Sequence, residues 1–252
     1  AILFVYSGTA LSQKVEIAGD LMKWHKVELI INGPQTSELA EENPFLDYKL
    51  DVTFTNGSKS YKVPGFFAAD GNAAKSSASE GKVWKVRFRP DETGTWNYKV
   101  SFRKGKDIVV KNGEHLGEPV EADGAEGSFT IEESNKSGDD FRAKGRIVNG
   151  GEGYFEFQDS EEIWIKNGAD SPENFLAYAD FDQTSRFSLK STVREGEADP
   201  KKSLHRYKPH VSDWNSGDPT WQNGKGKGII GALNYLDSKG VNSVYMLTMN
   251  IL

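Results

Sequence analysis

The sequence predicts a multidomain chain of the β plus α/β class: an N-terminal immunoglobulin-like β-sandwich followed by the first part of a TIM barrel, truncated. Three observations predict it. From Val15 to about Ile131, apolar and polar residues alternate in short runs broken by turn residues. A polar, charged segment with no apolar anchor, 133–140, then interrupts the pattern. Beyond it come a strand, a long loop, an amphipathic helix and a second apolar strand. Period-two alternation rich in β-branched and aromatic residues marks strands, and their even spacing marks a sandwich. Strand, helix and strand in succession mark a βα unit on a parallel sheet.

The elements follow in chain order. Residues 1–12 form a short apolar run ending in small residues, Ala10-x-Ser12. The segment reads as the second half of a secretory signal peptide, with a buried N-terminal strand as the other reading. Residues 13–132 are the sandwich, with "KVELIING", "YKLDVTF", "VWKVRFR", "WNYKVSF" and "GSFTI" as strands. The run from Pro90 through Trp96 and Tyr98 is a turn leading into an inward aromatic strand. Trp84 and Trp96 are therefore expected in the core, since aromatics dominate core burial. Residues 133–140 are the expected linker. Residues 141–252 are the expected start of the barrel: a hairpin, a short buried strand Ile163 to Lys166, an irregular stretch from about Ala169 to Asn223, a helix and the strand Val241 to Met249.

Composition narrows the function classes. The 252 residues carry a formal charge of -6, with scattered lysines that make no basic stripe along which a nucleic acid could lie. No cysteine is present, which removes disulfides, thiolate metal sites and cysteine nucleophiles. Apart from the N-terminal run, no apolar stretch approaches the roughly 20 residues that span a bilayer. The expectation is an exported protein, secreted or periplasmic, with no membrane span.

Gly226-x-Gly228-x-x-Gly231 has the spacing of a dinucleotide fingerprint. Such a fingerprint follows a strand and precedes an acidic residue about 20 positions on. Here a loop precedes it, and the following strand ends in Asn250. Ile229, Leu233 and Leu236 share one face of a helix that Gly240 closes, so the glycines are read as its entry, placing the helix close to a sheet. No cofactor is expected.

Barrel chemistry sits at the C-terminal ends of the strands, in the βα loops. Asp170, Glu173 and Asn174 follow the first strand closely, and Asn250 ends the second. Asp170, Ser171 and Pro172 also suit a turn or helix cap. A second cluster, His205 to Trp221, places His210, Asp213, Trp214 and Trp221 among polar residues. Indoles would cover sugar CH faces while Asp213, His210 or Arg206 bond hydroxyls. The alternative is that Trp214 and Trp221 pin a long loop, with Asp213 and Asp218 serving turns. Asp213 and Asp218 match no EF-hand spacing, His205 and His210 no zinc-protease motif, and no G-x-S-x-G elbow occurs. No metal site is expected, and no carboxylate is assigned as acid or nucleophile.

"WHKVEL", "ENPFLDYKLDVTF", "GFFAADG", "VWKVRFRPDETGTWNY" and "GSFTI" together resemble the immunoglobulin-like domain of unknown function that precedes a catalytic barrel in bacterial, often marine, polysaccharide hydrolases. "DFRAKGRI", "KNGADSPENFLAYADFD", "HVSDWNSGDPTW" and "GKGKGIIGALNYLDSKGVNSVYMLTMN" resemble the beginning of that barrel, related to apiosidase-like glycoside hydrolases. The resemblance covers nearly everything after Gln13. It implies the N-terminal part of a secreted glycoside hydrolase acting on a polysaccharide or oligosaccharide. In related barrels the acid and nucleophile come from later strands, so this chain alone is expected to be inactive, with Asp170, Glu173 and Asn174 at the substrate-contacting position. Gln183, in "FDQT", stands where the family has Gly, putting a positive-φ turn there in doubt. The rival reading is a non-catalytic carbohydrate-binding or adhesion module.

Overall fold

The computed structural model describes residues 15–113, 116–151, 153–168, 175–182, 184 and 204–246. Its contacts divide it into two units, with described residues 15–73 and 78–163 in the first and 74–77 and 164–246 in the second. Along the chain the strands of the first unit are β1 (Val15–Gly19), β2 (Val27–Ser37), β3 (Tyr48–Asn56), β4 (Lys59–Pro64), β5 (Phe66–Phe67), β6 (Glu80–Phe88), β7 (Gly94–Lys104), β8 (Glu118–Pro119) and β9 (Glu126–Ile131). A helical turn, α1 (Ala73–Ser76), falls between β5 and β6.

Two antiparallel sheets result. One has the order β1-β2-β6-β5; the other has β4-β3-β7-β8, with β9 also paired to β7. Alternation explains which face of each sheet is covered. Leu29 and Ile31 of β2, Trp84 and Val86 of β6, Val52 and Phe54 of β3, and Trp96 and Phe102 of β7 are all buried, while their neighbours in sequence, Glu28 apart, are half-buried or exposed. Across the sheets Phe54 stacks on Phe88 at 4.2 Å, and Trp84 meets Phe102 edge-on at 4.8 Å. Each large side chain removed from water contributes about 2 kcal/mol. The chain is mostly antiparallel β structure consistent with a β-sandwich, and Trp84 and Trp96 lie in its core as their sequence context implies. Their polar handles are satisfied there: Trp84 Nε1 donates to Pro34 O and Trp96 Nε1 to Glu92 O.

A buried carboxylate closes one end of this core. Asp91 accepts from Tyr61 Oη at 2.7 Å and from Lys59 Nζ at 3.0 Å. Burial pushes its carboxyl up, but the bonds from Tyr61 and Lys59 outweigh that and hold it below the usual range. Because the folded pKa is depressed, this stability is present above the unfolded value of about 3.9 and is lost as pH falls through the folded value. Asp91→Ala is expected to cost about 2 kcal/mol at neutral pH in urea unfolding, and the difference from the parent should shrink as the pH falls below about 4.

The segment expected to be a linker, 133–140, does not separate the two contact units. The first unit runs on through α2 (Phe141–Lys144), β10 (Ile147–Asn149) and β11 (Phe155–Phe157), the last two forming the expected hairpin, to Ile163. Trp24 explains this. Its Nε1 donates to Asp159 Oδ2 at 2.6 Å, Lys23 Nζ lies 2.7 Å from the same oxygen, and His25 Nε2 is 3.2 Å from Ser134 Oγ. These contacts tie residues 134 and 159 to the sandwich.

Two expectations for the barrel start are corrected. The segment expected as a buried strand is β12 (Ile163–Trp164), third in the small sheet β10-β11-β12, with Ile163 60% and Ile165 74% exposed. Between Val241 and Met246 no extended strand forms, and these residues are half-buried or exposed. Among the described residues there is thus no closed or multi-stranded parallel sheet of a barrel. The expected helix is present as α3 (Lys227–Ser238), with Ile229 buried, Leu233 packed on the same small core and Gly240 at φ 79 closing it.

Candidate functional site

The connection before α3 is built around Tyr178. Residues 177–179 and 205 pair side by side, His205 N donating to Ala177 O and Ala179 N to His205 O. Tyr178 Oη donates to Asp180 Oδ2 at 2.7 Å. Gly226 N donates to the same Asp180 oxygen at 3.0 Å. At the N-terminus of α3 the chain's own Asp180 carboxylate thus takes a backbone N–H, in the place where a phosphate would sit in a dinucleotide site. Burial, and then the bond to Asp180, push the Tyr178 phenol up to about 12. Burial, and then the nearby Tyr178, do the same for Tyr207, also to about 12. Both stay protonated donors, and Tyr207 Oη donates to Phe175 O.

The three glycines of the apparent fingerprint serve close packing. A Cβ on Gly228 would stand 2.4 Å from Arg206 O, and one on Gly231 would stand 1.8 Å from His210 O. Gly226, at φ 94, lies under the Trp221 ring. The helix is thus pressed against the 205–214 loop, where the sequence reading expected a sheet.

On that loop a 3₁₀ helix spans Lys208–Asp213. Residues three apart eclipse one another in this conformation, which brings His210 and Asp213 together. His210 Nδ1 is 2.9 Å from Asp213 Oδ2, and its ring lies 4.7 Å from Tyr235 of α3. With the carboxylate bonded at Nδ1, Nε2 is the nitrogen left to accept or donate a proton. Asn234 of α3 fixes the loop by donating to Asp213 O at 2.9 Å and to Asp218 Oδ2 at 2.7 Å. Asp218 also takes the Asn215 N–H, and these bonds hold its carboxyl below the usual range. It is therefore a turn carboxylate. Among the described residues no three His, Asp or Glu side chains converge as a metal site would require, and no helix is long and apolar enough to cross a membrane.

The structure brings together His210, Asp213 and Trp214 of the expected site residues. Trp214 is half-buried, with Lys227 Nζ 4.2 Å from its ring centroid, so a cation already lies over the indole. Trp221 is set apart from them: it stacks on Phe181 at 5.5 Å and donates to Asp180 O, which is a packing role. Asp170, Glu173, Asn174 and Asn250 lie outside the described residues, as does Gln183. Sequence reasoning missed Tyr178, Asp180 and Asn234. Apart from the Tyr178–Asp180 bond, two positions apart, their partners lie 16 to 46 positions away, beyond any local motif, although the short-chain carboxylate of Asp180 in "YADFD" is a visible cap candidate.

One further arrangement bears on the site. Asn242 N donates to Asn167 O at 2.9 Å, and Asn167 N and Nδ2 bond Asn242 Oδ1 and Gly240 O. Gly168 also lies close to Ser243: a Cβ on Gly168 would stand 2.3 Å from Ser243 O. Asn242 Nδ2 also donates to Ile165 O at 2.9 Å, so 165–168 and 240–243 lie side by side, with α3 between them in sequence.

The sheets and this geometry can be set beside known proteins. Residues 20–103 match the model of a domain of unknown function, DUF5060. The DUF5060 match takes in β2 to β7, the greater part of both sandwich sheets, and ends before the Trp24-bound hairpin. One solved structure is similar, a candidate glycoside hydrolase from Bacteroides vulgatus, at 21% identity and a TM-score of 0.39 over 61% of this chain. The chain spans 23% of that protein's length. No curated protein matches the chain significantly.

Proposed function

We propose that this chain is the N-terminal part of an exported glycoside hydrolase acting on a polysaccharide or oligosaccharide, with the DUF5060 sandwich ahead of the start of a TIM barrel. Beside the sequence motifs, what supports the reading is that 165–168 and 240–243 lie side by side with α3 between them in sequence, as the two strands of a βα unit would. In such a unit the connection entering the helix lies at the C-terminal ends of the strands, where barrels hold substrate. Here that connection contains Asp170, Glu173 and Asn174 and the His210–Asp213 pair. The glycan substrate itself comes from the resemblance of the long motifs "KNGADSPENFLAYADFD" and "HVSDWNSGDPTW". The His210–Asp213 pair offers a hydrogen-bonding edge to sugar hydroxyls, and the resemblance implies that the two carboxylates glycoside hydrolysis requires, acid and nucleophile, come from later strands.

The test is reducing-sugar release across a panel of algal and plant-wall polysaccharides, by the full-length protein that contains this chain and by this chain alone. Release by the full-length protein and none by the chain is expected. Turnover by the chain alone contradicts the assignment of the catalytic pair, and no release by either on any polysaccharide contradicts the hydrolase reading.

A further inference from the structure

A groove of about 600 Å³ opens on the first unit, walled by the β1–β2 connection, the residue following β6 and the start of α2. Its charges do not balance one another. Arg142 closes a fork on Asp140, with Nη2 2.6 Å from one oxygen and Nε 2.9 Å from the other. Asp20 lies 3.2 Å from His25 Nδ1. That leaves Arg89 and Lys26, which line the same groove with no carboxylate within ion-pair distance among the described residues.

Arg89 is held in place. Its Nε donates to Trp24 O at 2.8 Å, and its guanidinium lies 5.4 Å from the Trp24 ring centroid. Trp24 is itself in a left-handed conformation, φ 64, that an aromatic residue rarely adopts. It persists because its N–H is bonded to Pro90 O and its indole to Asp159. Strain held by several bonds at once is a feature of ligand clamps. Burial, and then the second guanidinium of Arg142, push the Arg89 pKa down. A fixed, planar fork beside another cation, on which the Asp140 carboxylate acts only from beyond ion-pair distance, can take a further anion, and a two-oxygen acid group matches its geometry. Phe141, 38% exposed, adds an apolar face to the same groove.

We propose that this groove binds an acidic saccharide unit, its carboxylate or sulfate taken by Arg89 and Lys26 and its ring CH face lying on Phe141. The choice of a saccharide rests on the carbohydrate reading above; the acid group follows from the groove itself. Asp20 and Asp140 repel a second acid group, so one acidic unit is held at a time. The sandwich would then recognise the charge of the polymer while the second unit contributes to its cleavage.

The test is isothermal titration of the full chain with three oligosaccharides of equal length, one of uronic acids, one sulfated and one neutral, and with sodium acetate and sodium sulfate alone. At least one acidic oligosaccharide should bind about 10-fold or more tightly than the neutral one, equivalent to about 1.4 kcal/mol. Preference for the uronate identifies a carboxylate ligand, and preference for the sulfated one a sulfate ester. Lys26→Glu, on an exposed side chain, should weaken that binding about 10-fold, and Phe141→Ala should weaken the oligosaccharide but not the simple anion. Arg89→Lys keeps the charge and loses the fork, so it should weaken binding similarly, with the melting temperature measured alongside because Arg89 also bonds Trp24. Equal binding of the neutral oligosaccharide, no binding up to about 10 mM, or acidic binding unchanged in both Lys26→Glu and Phe141→Ala would overturn the proposal. Binding is read without turnover. A chain that binds the acidic oligosaccharide while the full-length protein releases no sugar overturns the hydrolase reading alone.

Discussion

Replacing Trp96 with alanine is expected to lower the unfolding free energy of the first unit by about 4 kcal/mol. The indole is fully buried, meets Phe88 edge-on at 4.9 Å and stacks on Tyr61 at 5.9 Å, and its Nε1 bond to Glu92 O fixes the turn that starts β7. Removing it leaves a cavity between the two sheets and takes the indole donor from the Glu92 carbonyl. The sheets cannot collapse into it, because β7 is paired on both edges, with β3 on one and with β8 and β9 on the other. Trp96→Phe keeps most of the volume and should cost about half as much. Urea unfolding followed by far-UV circular dichroism measures both. A loss under about 1 kcal/mol for the alanine variant would mean that the core does not depend on this contact.

Gly231→Ala is expected to destabilise the second unit by about 2 kcal/mol, although alanine is the better helix former. Two effects oppose each other. Helix propensity favours alanine by about 1 kcal/mol. Against it, the added Cβ would stand 1.8 Å from His210 O and 3.1 Å from Trp214 N, both backbone atoms that cannot rotate away. Overpacking of this kind costs about 3 kcal/mol. The clash wins, and the 3₁₀ turn must move. The His210–Asp213 bond and the Asn234 bonds should then be lost with it, so hydrogen exchange at residues 208–214 should quicken. A stabilised variant with unchanged exchange would show that helix and loop are not in contact in solution.

The sandwich was readable from sequence because burial on one face imposes period two, and β2, β3, β6 and β7 all carry it. The helix α3 was readable for the same reason at its own period. What failed was the reading of "IWIK" as a buried strand. A β-branched and aromatic run has the same appearance whether or not anything covers it, and Ile163 and Ile165 are exposed. The extent of the first unit was hidden because it rests on Trp24 with Asp159, 135 positions apart. Of the candidate site, the pairing of His210 with Asp213 was implicit in their spacing, but only a 3₁₀ turn makes that spacing a contact. Gly228 and Gly231 signal close packing in the sequence, but the partner they pack against is a loop, which their spacing does not reveal. The groove at Arg89 could not be read at all, since Lys26, Arg89 and Phe141 converge only through the fold.

The proposed function requires that the connection entering α3 faces a glycan. The measurement that tests it most directly is kcat/KM for sugar release by the full-length protein with Asp170→Ala beside the parent, with melting temperatures recorded for both. A fall of about 100-fold at unchanged melting temperature, about 2.7 kcal/mol of transition-state stabilisation, is the predicted result. Unchanged kcat/KM in a folded variant would remove the connection from the substrate site and contradict the claim.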